Sequence, residues 1–110
     1  PMNNRERMRA SNRHAVDHLL SIGHYDIWLK PHVKNKDRIY HPDGNYWQTD
    51  LWNMWDGISW KDDELWFLAI KTNKWHSEKD IQNWLQNRQG VHALAINVRT
   101  NPTSVDVREY

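Results

Sequence analysis

The stretch Asp50-Leu-Trp-Asn-Met-Trp-Asp56-Gly-Ile58, followed after a short acidic turn by Leu65-Trp-Phe-Leu-Ala-Ile-Lys71-Thr72, decides the fold of this chain. Each apolar run has the length and the composition of a β-strand, and the turn between them predicts a hairpin. Asp56 and Lys71 lie fifteen residues apart. On adjacent strands this carboxylate and this ammonium would face the same spot, an arrangement that suits a divalent cation held against a phosphate.

The bulk composition limits the class of protein. A chain of 110 residues without internal repeats is expected to form one domain, residues 1–110, around one modest core. No apolar run approaches the roughly 20 residues of a membrane span. Because the chain has no cysteine, disulfides and thiolate metal sites are excluded, and a reducing, intracellular compartment is expected. We therefore expect a cytoplasmic location.

The charges are segregated along the chain although the net charge is only +1. Residues 43–64 contain six acidic residues and one lysine, whereas the remainder contains 14 basic and 8 acidic residues. An acidic centre in a basic frame suits a cation site that also holds a polyanion such as DNA. The alternative is an ordinary solvated surface.

The eight tryptophans, which all lie between residues 28 and 84, exceed what a small core easily absorbs. A buried indole N–H needs a hydrogen-bond partner, so some of these rings are expected at the surface. Exposed rings could stack on the bases of a nucleic acid. Trp47 and Trp75, which flank the two apolar runs, are the rings expected to be exposed.

Apolar periodicity and turn residues predict an α/β fold in the order helix, three strands, helix, two strands. The expected sheet is mixed, central and flanked by helices, and the strand from Leu65 to Lys71 lies in its middle because it is apolar on both faces. Ser77 is a good N-cap for the second helix and Gly90 a good stop. The other predicted elements are a helix over 4–22, strands over 25–29, 51–60, 93–98 and 105–110, and either a small hairpin or an ordered loop that joins 39–40 to 46–47.

This order, with an aspartate in the second strand and a lysine closing the third, resembles the PD-(D/E)xK nuclease superfamily. Its nearest likeness is to archaeal-type Holliday junction resolvases and their viral relatives. Asp56 is similar to the family's strand-two aspartate, and Ala69-Ile70-Lys71 stands at the (D/E)xK position. Asp50 resembles a second aspartate of viral variants, which fits a virus- or phage-encoded protein. The resemblance implies a restriction-endonuclease-like core.

Ala69 departs from the family pattern, which places a metal-binding Glu, Asp or Gln at this position. Three explanations stay open. Alanine has replaced an acid in an engineered inactive form, the ligand has moved to Glu78 or Asp80 on the next helix, or catalysis has been lost. The acid that such resolvases carry on the first helix is not clearly matched either, and its candidates are Glu6 and Asp17.

The resemblance implies that a homodimer hydrolyses phosphodiester bonds of branched DNA with Mg²⁺ or Mn²⁺. The expected metal ligands are Asp56, Asp50 and the backbone carbonyl of Ile70. The expected catalytic residues are Asp56, Lys71 and Asp50, with Ala69 at the position of the missing acid. The basic residues expected to hold DNA phosphates are Arg5, Arg7, Arg9, Arg13, Lys30, Lys34, Lys36, Arg38 and Lys74.

Two other classes of protein remain open. A non-catalytic, tryptophan-rich nucleic-acid-binding module is favoured by Ala69. Burial of both Asp56 and Lys71 would argue against it, because a binding module gains nothing from removing both charges from water. A structural or protein-partner domain would require these two residues to be a coincidental ion pair.

Overall fold

Five strands form one mixed sheet in the spatial order β1-β4-β5-β6-β7. The structure, a computed structural model, describes residues 3–31, 39–40, 46–47, 50–52 and 54–110, with only the backbone of 39–40 and 46–47. The β1–β4, β4–β5 and β6–β7 pairs are antiparallel, and β5–β6 is parallel. The predicted α/β fold with a mixed sheet and a central third main strand is therefore confirmed. The strands are β1 (Tyr25–Leu29), β2 (Ile39–Tyr40), β3 (Tyr46–Trp47), β4 (Gly57–Lys61), β5 (Glu64–Thr72), β6 (His92–Arg99) and β7 (Ser104–Glu109).

Helix α1 (Asn4–Ser21) covers one face of the sheet. Asn3 caps it, because its side-chain oxygen accepts a hydrogen bond from the backbone N–H of Glu6 at 2.9 Å. The buried residues Ser11, Ala15 and Leu19 recur every four positions, so they form one stripe that faces the strands. The helix stops before Gly23, whose positive φ of 99° suits a helix end.

Helix α2 (Glu78–Leu85) lies in the crossover between the parallel strands β5 and β6. Ser77 is its N-cap, as predicted, and accepts from the backbone N–H of Asp80 at 3.3 Å. The expectation that the helix runs on to Gly90 was wrong. The residues after Leu85 are exposed and polar, so a longer helix would bury no further apolar surface.

The predicted strand over 51–60 begins only at Gly57, which is a correction to the sequence expectation. Leu51 and Trp55 exchange both backbone hydrogen bonds at 3.0 Å, so the first half of the run folds into a tight turn. This turn directs the Trp55 side chain into the core, where its indole is completely buried. Burial of this large side chain explains why the segment does not continue the sheet.

The sheet separates two apolar clusters because side chains alternate between its faces. On the α1 face, Ala15 and Leu19 pack on Leu68, Leu94 and Ile96. The α2-side cluster consists of Trp55, Phe67, Ala69, Ile81, Ala93 and Ala95.

Strands β2 and β3 pair as a small antiparallel hairpin, one of the two predicted alternatives, while the turn between them lies outside the described residues. No helix in the described ranges is long and apolar enough to cross a membrane.

His24 makes stability depend on pH. Its Nδ1 lies 2.7 Å from the Ser59 hydroxyl oxygen, and its ring meets Trp66 edge to face. Burial, and then the Lys61 ammonium, lower the pKa of His24 below its ordinary value of 6.5. The native state therefore binds fewer protons than the unfolded state, and stability is lost as the pH falls from 6.5 through the lowered native pKa.

We accordingly expect the unfolding free energy from urea titration to be lower in mildly acidic than in neutral buffer. His24→Gln, which does not titrate, should weaken this dependence. Equal pH dependence in the two proteins would show that His24 does not contribute.

Candidate functional site

An open cleft of about 980 Å³ lies at one end of the sheet, where β1 and β5 end and β4 begins. Asp50, Asp56, Ile70 and Lys71 line it together, although they come from three separate parts of the chain. The cleft thus contains four of the five residues that the sequence predicted for catalysis and metal binding. The fifth, Ala69, does not line it. Its remaining lining is Asn4, Arg7, Met8, Ala10, Ser11, Asn12, His14, Lys30, Thr72, Asn73, Lys74, Val98, Thr100, Asn101 and Thr103.

Lys30 is the cationic partner of both carboxylates. It follows β1, and its backbone N–H donates to the carbonyl of Asp56 at 2.8 Å, which fixes its position beside β4. Its ammonium pairs directly with the Asp50 carboxylate and lies 3.7 Å from Oδ1 of Asp56. Lys30, which was expected to hold a DNA phosphate, therefore lines the cleft as a cation that is already paired with carboxylates.

Hydrogen bonds to the backbone of β5 hold Asp56 in place. Its Oδ2 accepts a hydrogen bond of 2.7 Å from the backbone N–H of Ile70, while its own N–H donates to Leu68. The Asp56 carboxylate thus accepts a hydrogen bond from β5 just before β4 begins at Gly57, where a backbone carbonyl would accept it within the sheet. Burial raises the pKa of Asp56, and the Ile70 hydrogen bond and the Lys30 ammonium oppose that rise. Because the N–H and C=O of one strand residue point to the same side, the Ile70 carbonyl faces this edge too.

Lys71 lines the same cleft, one residue beyond Ile70. It is half-buried, and its ammonium forms no ion pair or hydrogen bond with any residue in the described part of the chain. It is nevertheless near enough to Asp56 for the two charges to interact. Lys71 is therefore a cation that is partly shielded from water and available to a ligand.

Ala69 lies outside the cleft. It is completely buried in the α2-side cluster, among Trp55, Phe67 and Ile81. These apolar surroundings are those of a core alanine, and the polar groups beside them are the unpartnered indole N–H groups of Trp55 and Trp84. This environment favours a native alanine over an acid that was replaced.

The acids proposed as substitutes for a residue-69 ligand lie elsewhere. Glu78 accepts a hydrogen bond of 3.1 Å from the Tyr110 hydroxyl, and Tyr110 pairs with Ala93 at the opposite end of β6. Asp80 is exposed and does not line the cleft. On the first helix, Glu6 and Asp17 are exposed and also lie off the cleft.

Basic residues of α1 divide between the cleft and the outer surface. Arg7 lines the cleft, and Lys74 lines it from the loop after β5. Arg5, Arg9 and Arg13 are exposed and lie outside its lining. Arg7 could have been singled out from its spacing, since it lies one helical turn before the buried Ser11. Lys34, Lys36 and Arg38 fall outside the described residues.

His76 is the residue near the site that sequence reasoning missed. Burial lowers its pKa, the Lys71 ammonium lowers it further, and the carboxylates of Asp80, Asp56 and Asp50 oppose these effects. Its Nε2 is buried and bonded to no described group. The spacing of His76 from the other site residues did not indicate a role for it, because only the fold of the loop between β5 and α2 brings it towards the site.

Of the two tryptophans expected at the surface, only Trp75 has a described side chain. Trp75 is half-buried, and the Arg108 guanidinium lies 4.0 Å from its ring centre. The side chain of Trp47 lies outside the described residues. Among the tryptophans whose side chains are described, Trp28, Trp52 and Trp60 are the exposed ones.

The donor set at the cleft fits a weakly held, hydrated Mg²⁺ or Mn²⁺. Mg²⁺ commonly binds one or two carboxylates together with water and phosphate, and Asp50, Asp56 and the Ile70 carbonyl are oxygen donors of this kind. The Lys30 ammonium already bridges the two carboxylates, so the pair attracts a cation. A metal ion bound to Asp50 would have to displace the Lys30 ammonium. In the described ranges, the cleft included, no group of three His, Asp or Glu residues could hold a metal ion.

Comparisons with protein-family models, with curated proteins and with solved structures found no match for this chain. Functional inference therefore depends on the geometry of the cleft and on the resemblance carried by its residues.

Proposed function

We propose that this chain is a metal-dependent DNA endonuclease that acts on branched DNA, similar to the PD-(D/E)xK resolvases. The observation that carries the proposal is the convergence of Asp50, Asp56 and Lys71 on one cleft. Lys71 supports the proposal because it forms no direct salt bridge with Asp56, while the Lys30 ammonium pairs with both aspartates.

The cleft also has the charge needed to hold a phosphate chain. Four cationic side chains, Arg7, Lys30, Lys71 and Lys74, line it together with two carboxylates. Arginine and lysine contacts to phosphates supply affinity without reading the base sequence. The substrate backbone would therefore run between α1 and the loop after β5, which carry Arg7 and Lys74.

In this proposal the residues of the chain divide the work. Lys71 stabilises the negative charge that develops on the phosphate as water attacks, because no carboxylate in the described part of the chain neutralises its ammonium. The Ile70 N–H holds Asp56 in one orientation at the edge of the sheet. A divalent cation, when bound to Asp56 and Asp50, would polarise a phosphate oxygen and lower the pKa of a bound water.

A symmetric cut of two strands requires two active sites related by a two-fold axis, so the proposed enzyme is a homodimer.

The second candidate is a non-catalytic nucleic-acid-binding module. It is favoured by Ala69, which contributes no ligand, and by Lys30, which neutralises the carboxylates without a metal. The two candidates share the cleft and its cations and differ only in whether a bond is broken.

The deciding experiment incubates the chain with branched, duplex and single-stranded DNA, with and without Mg²⁺ or Mn²⁺. A nuclease should cut branched DNA only when metal is present. Binding measured in parallel should weaken with salt, with a slope of about −0.9 in log affinity against log salt for each phosphate contacted. Salt-dependent binding without cutting would support the binding module, and binding that ignores salt would contradict both candidates.

A further inference from the structure

Two buried polar atoms without a described partner belong to residues near Lys71, one on the neighbouring strand and one in the loop after β5. They are Oδ1 of Asn97 and Nε2 of His76, and neither bonds to any described group. Buried polar atoms in folded proteins almost always have a hydrogen-bond partner, so each unsatisfied one calls for an explanation.

Asn97 is the direct neighbour of Lys71 across the parallel β5–β6 ladder. Neighbouring strands lie about 4.8 Å apart, and residues in register point to the same face. Asn97 is only 2% exposed, so its amide cannot turn out to bulk water. Its carbonyl oxygen is therefore an acceptor held against the base of the lysine side chain.

His76 approaches Lys71 from the loop that leads into α2. His76 lies between the end of β5 at Thr72 and the start of α2 at Glu78, and its Nε2 is buried. The Lys71 ammonium is close enough to lower the pKa of His76. An imidazole that stays neutral keeps one ring nitrogen free to accept a hydrogen bond.

The unsatisfied groups are complementary. The Lys71 ammonium has three N–H donors and no acceptor, and it donates to no residue in the described part of the chain. Asn97 and His76 offer the acceptors that it lacks. We propose that Asn97 and His76 are positioning residues that bind the Lys71 ammonium through a bridging water molecule and aim it at the phosphate in the cleft.

This inference rests on the proposed function for its consequence, because orientation of Lys71 affects the rate only if the chain cleaves DNA. Poor placement of a group that acts in the transition state lowers the rate constant more than it lowers affinity. Asn97→Leu should therefore reduce kcat about tenfold to a hundredfold and leave KM unchanged. Asn97→Asp retains the acceptor and should keep kcat within a few-fold of the original protein.

A second readout does not depend on cleavage. A lysine ammonium that is hydrogen-bonded exchanges its protons slowly, so its ¹⁵N–¹H signal is visible by NMR in cold, slightly acidic buffer. We expect a visible Lys71 signal in the original protein, assigned by its loss in Lys71→Arg. The signal should disappear in Asn97→Leu and persist in Asn97→Asp.

Val98→Ala is the matched control, because Val98 is the next residue of β6 and is buried on the opposite face. It should loosen the strand without removing the Lys71 signal. If Asn97→Leu does not fold, transfer of magnetisation between the Lys71 ammonium and the Asn97 amide in the original protein decides the question.

An absent Lys71 signal in the original protein, or one unchanged in Asn97→Leu, would overturn the inference. A visible, Asn97-dependent signal in a protein that cuts no DNA would leave the contact established and would contradict only the proposed function.

Discussion

Lys71→Ala is expected to lower the rate of metal-dependent DNA cleavage by a factor of about 10²–10³, with little change in DNA affinity. Removal of one group that stabilises developing charge typically costs this much in kcat, because the interaction is strongest in the transition state. Lys71 is suited to this role since it lines the cleft, is half-buried and has no described partner that neutralises it. Single-turnover cleavage and equilibrium binding, measured on the same branched DNA, separate the two effects.

Lys74→Ala is the matched control, because Lys74 lines the same cleft but is exposed. Its loss should weaken binding, reduce the salt slope by about one phosphate contact and leave the cleavage step nearly unchanged. If both lysine variants lose affinity alike and cleave at equal rates once bound, Lys71 is only a phosphate contact.

Ala69→Glu is expected to lower the free energy of unfolding by roughly 3–5 kcal/mol at neutral pH. The new carboxylate would enter a completely buried apolar cluster formed with Trp55, Phe67 and Ile81. Removal of a charge from water into this cluster is costly, and a hydrogen bond from the unpartnered Trp55 indole N–H would offset only part of that cost. Urea unfolding followed by tryptophan fluorescence measures the effect.

Ala69→Gln separates charge from volume, since glutamine has nearly the shape of glutamate. We expect Ala69→Gln to be the more stable of the two at neutral pH. The difference should shrink in acid, where the introduced carboxyl becomes protonated. An Ala69→Glu protein as stable as the original, and faster in cleavage, would show instead that the position was built for an acid and that alanine replaced it.

The sequence by itself determined the elements and most of their order. The apolar period of α1 and the Asn3 and Ser77 caps act through local contacts. The continuous apolar run of β5 reflects burial on both of its faces. Such signals lie within a few residues of each other, so they are readable without the fold. For the same reason the hairpin separation of Asp56 and Lys71 predicted that the two would be close.

Local signals failed where burial at a distance decided the outcome. Residues 51–55 have the composition of a strand, yet they turn because Trp55 fills the space over Phe67. In the sequence, Lys30 is indistinguishable from an ordinary surface cation. In the folded chain, β1 places its ammonium beside the carboxylates of Asp50 and Asp56.

The tertiary structure alone decided which charged and polar groups meet at the cleft. Ser11 and Thr72, sixty-one positions apart, share a hydrogen bond of 2.6 Å that fixes α1 along the end of β5 and brings Arg7 to the cleft. Register across the β5–β6 ladder places Asn97 beside Lys71. Neither contact has a sequence signature, because the chain distance between the partners is set by the intervening elements and not by the chemistry of the residues themselves.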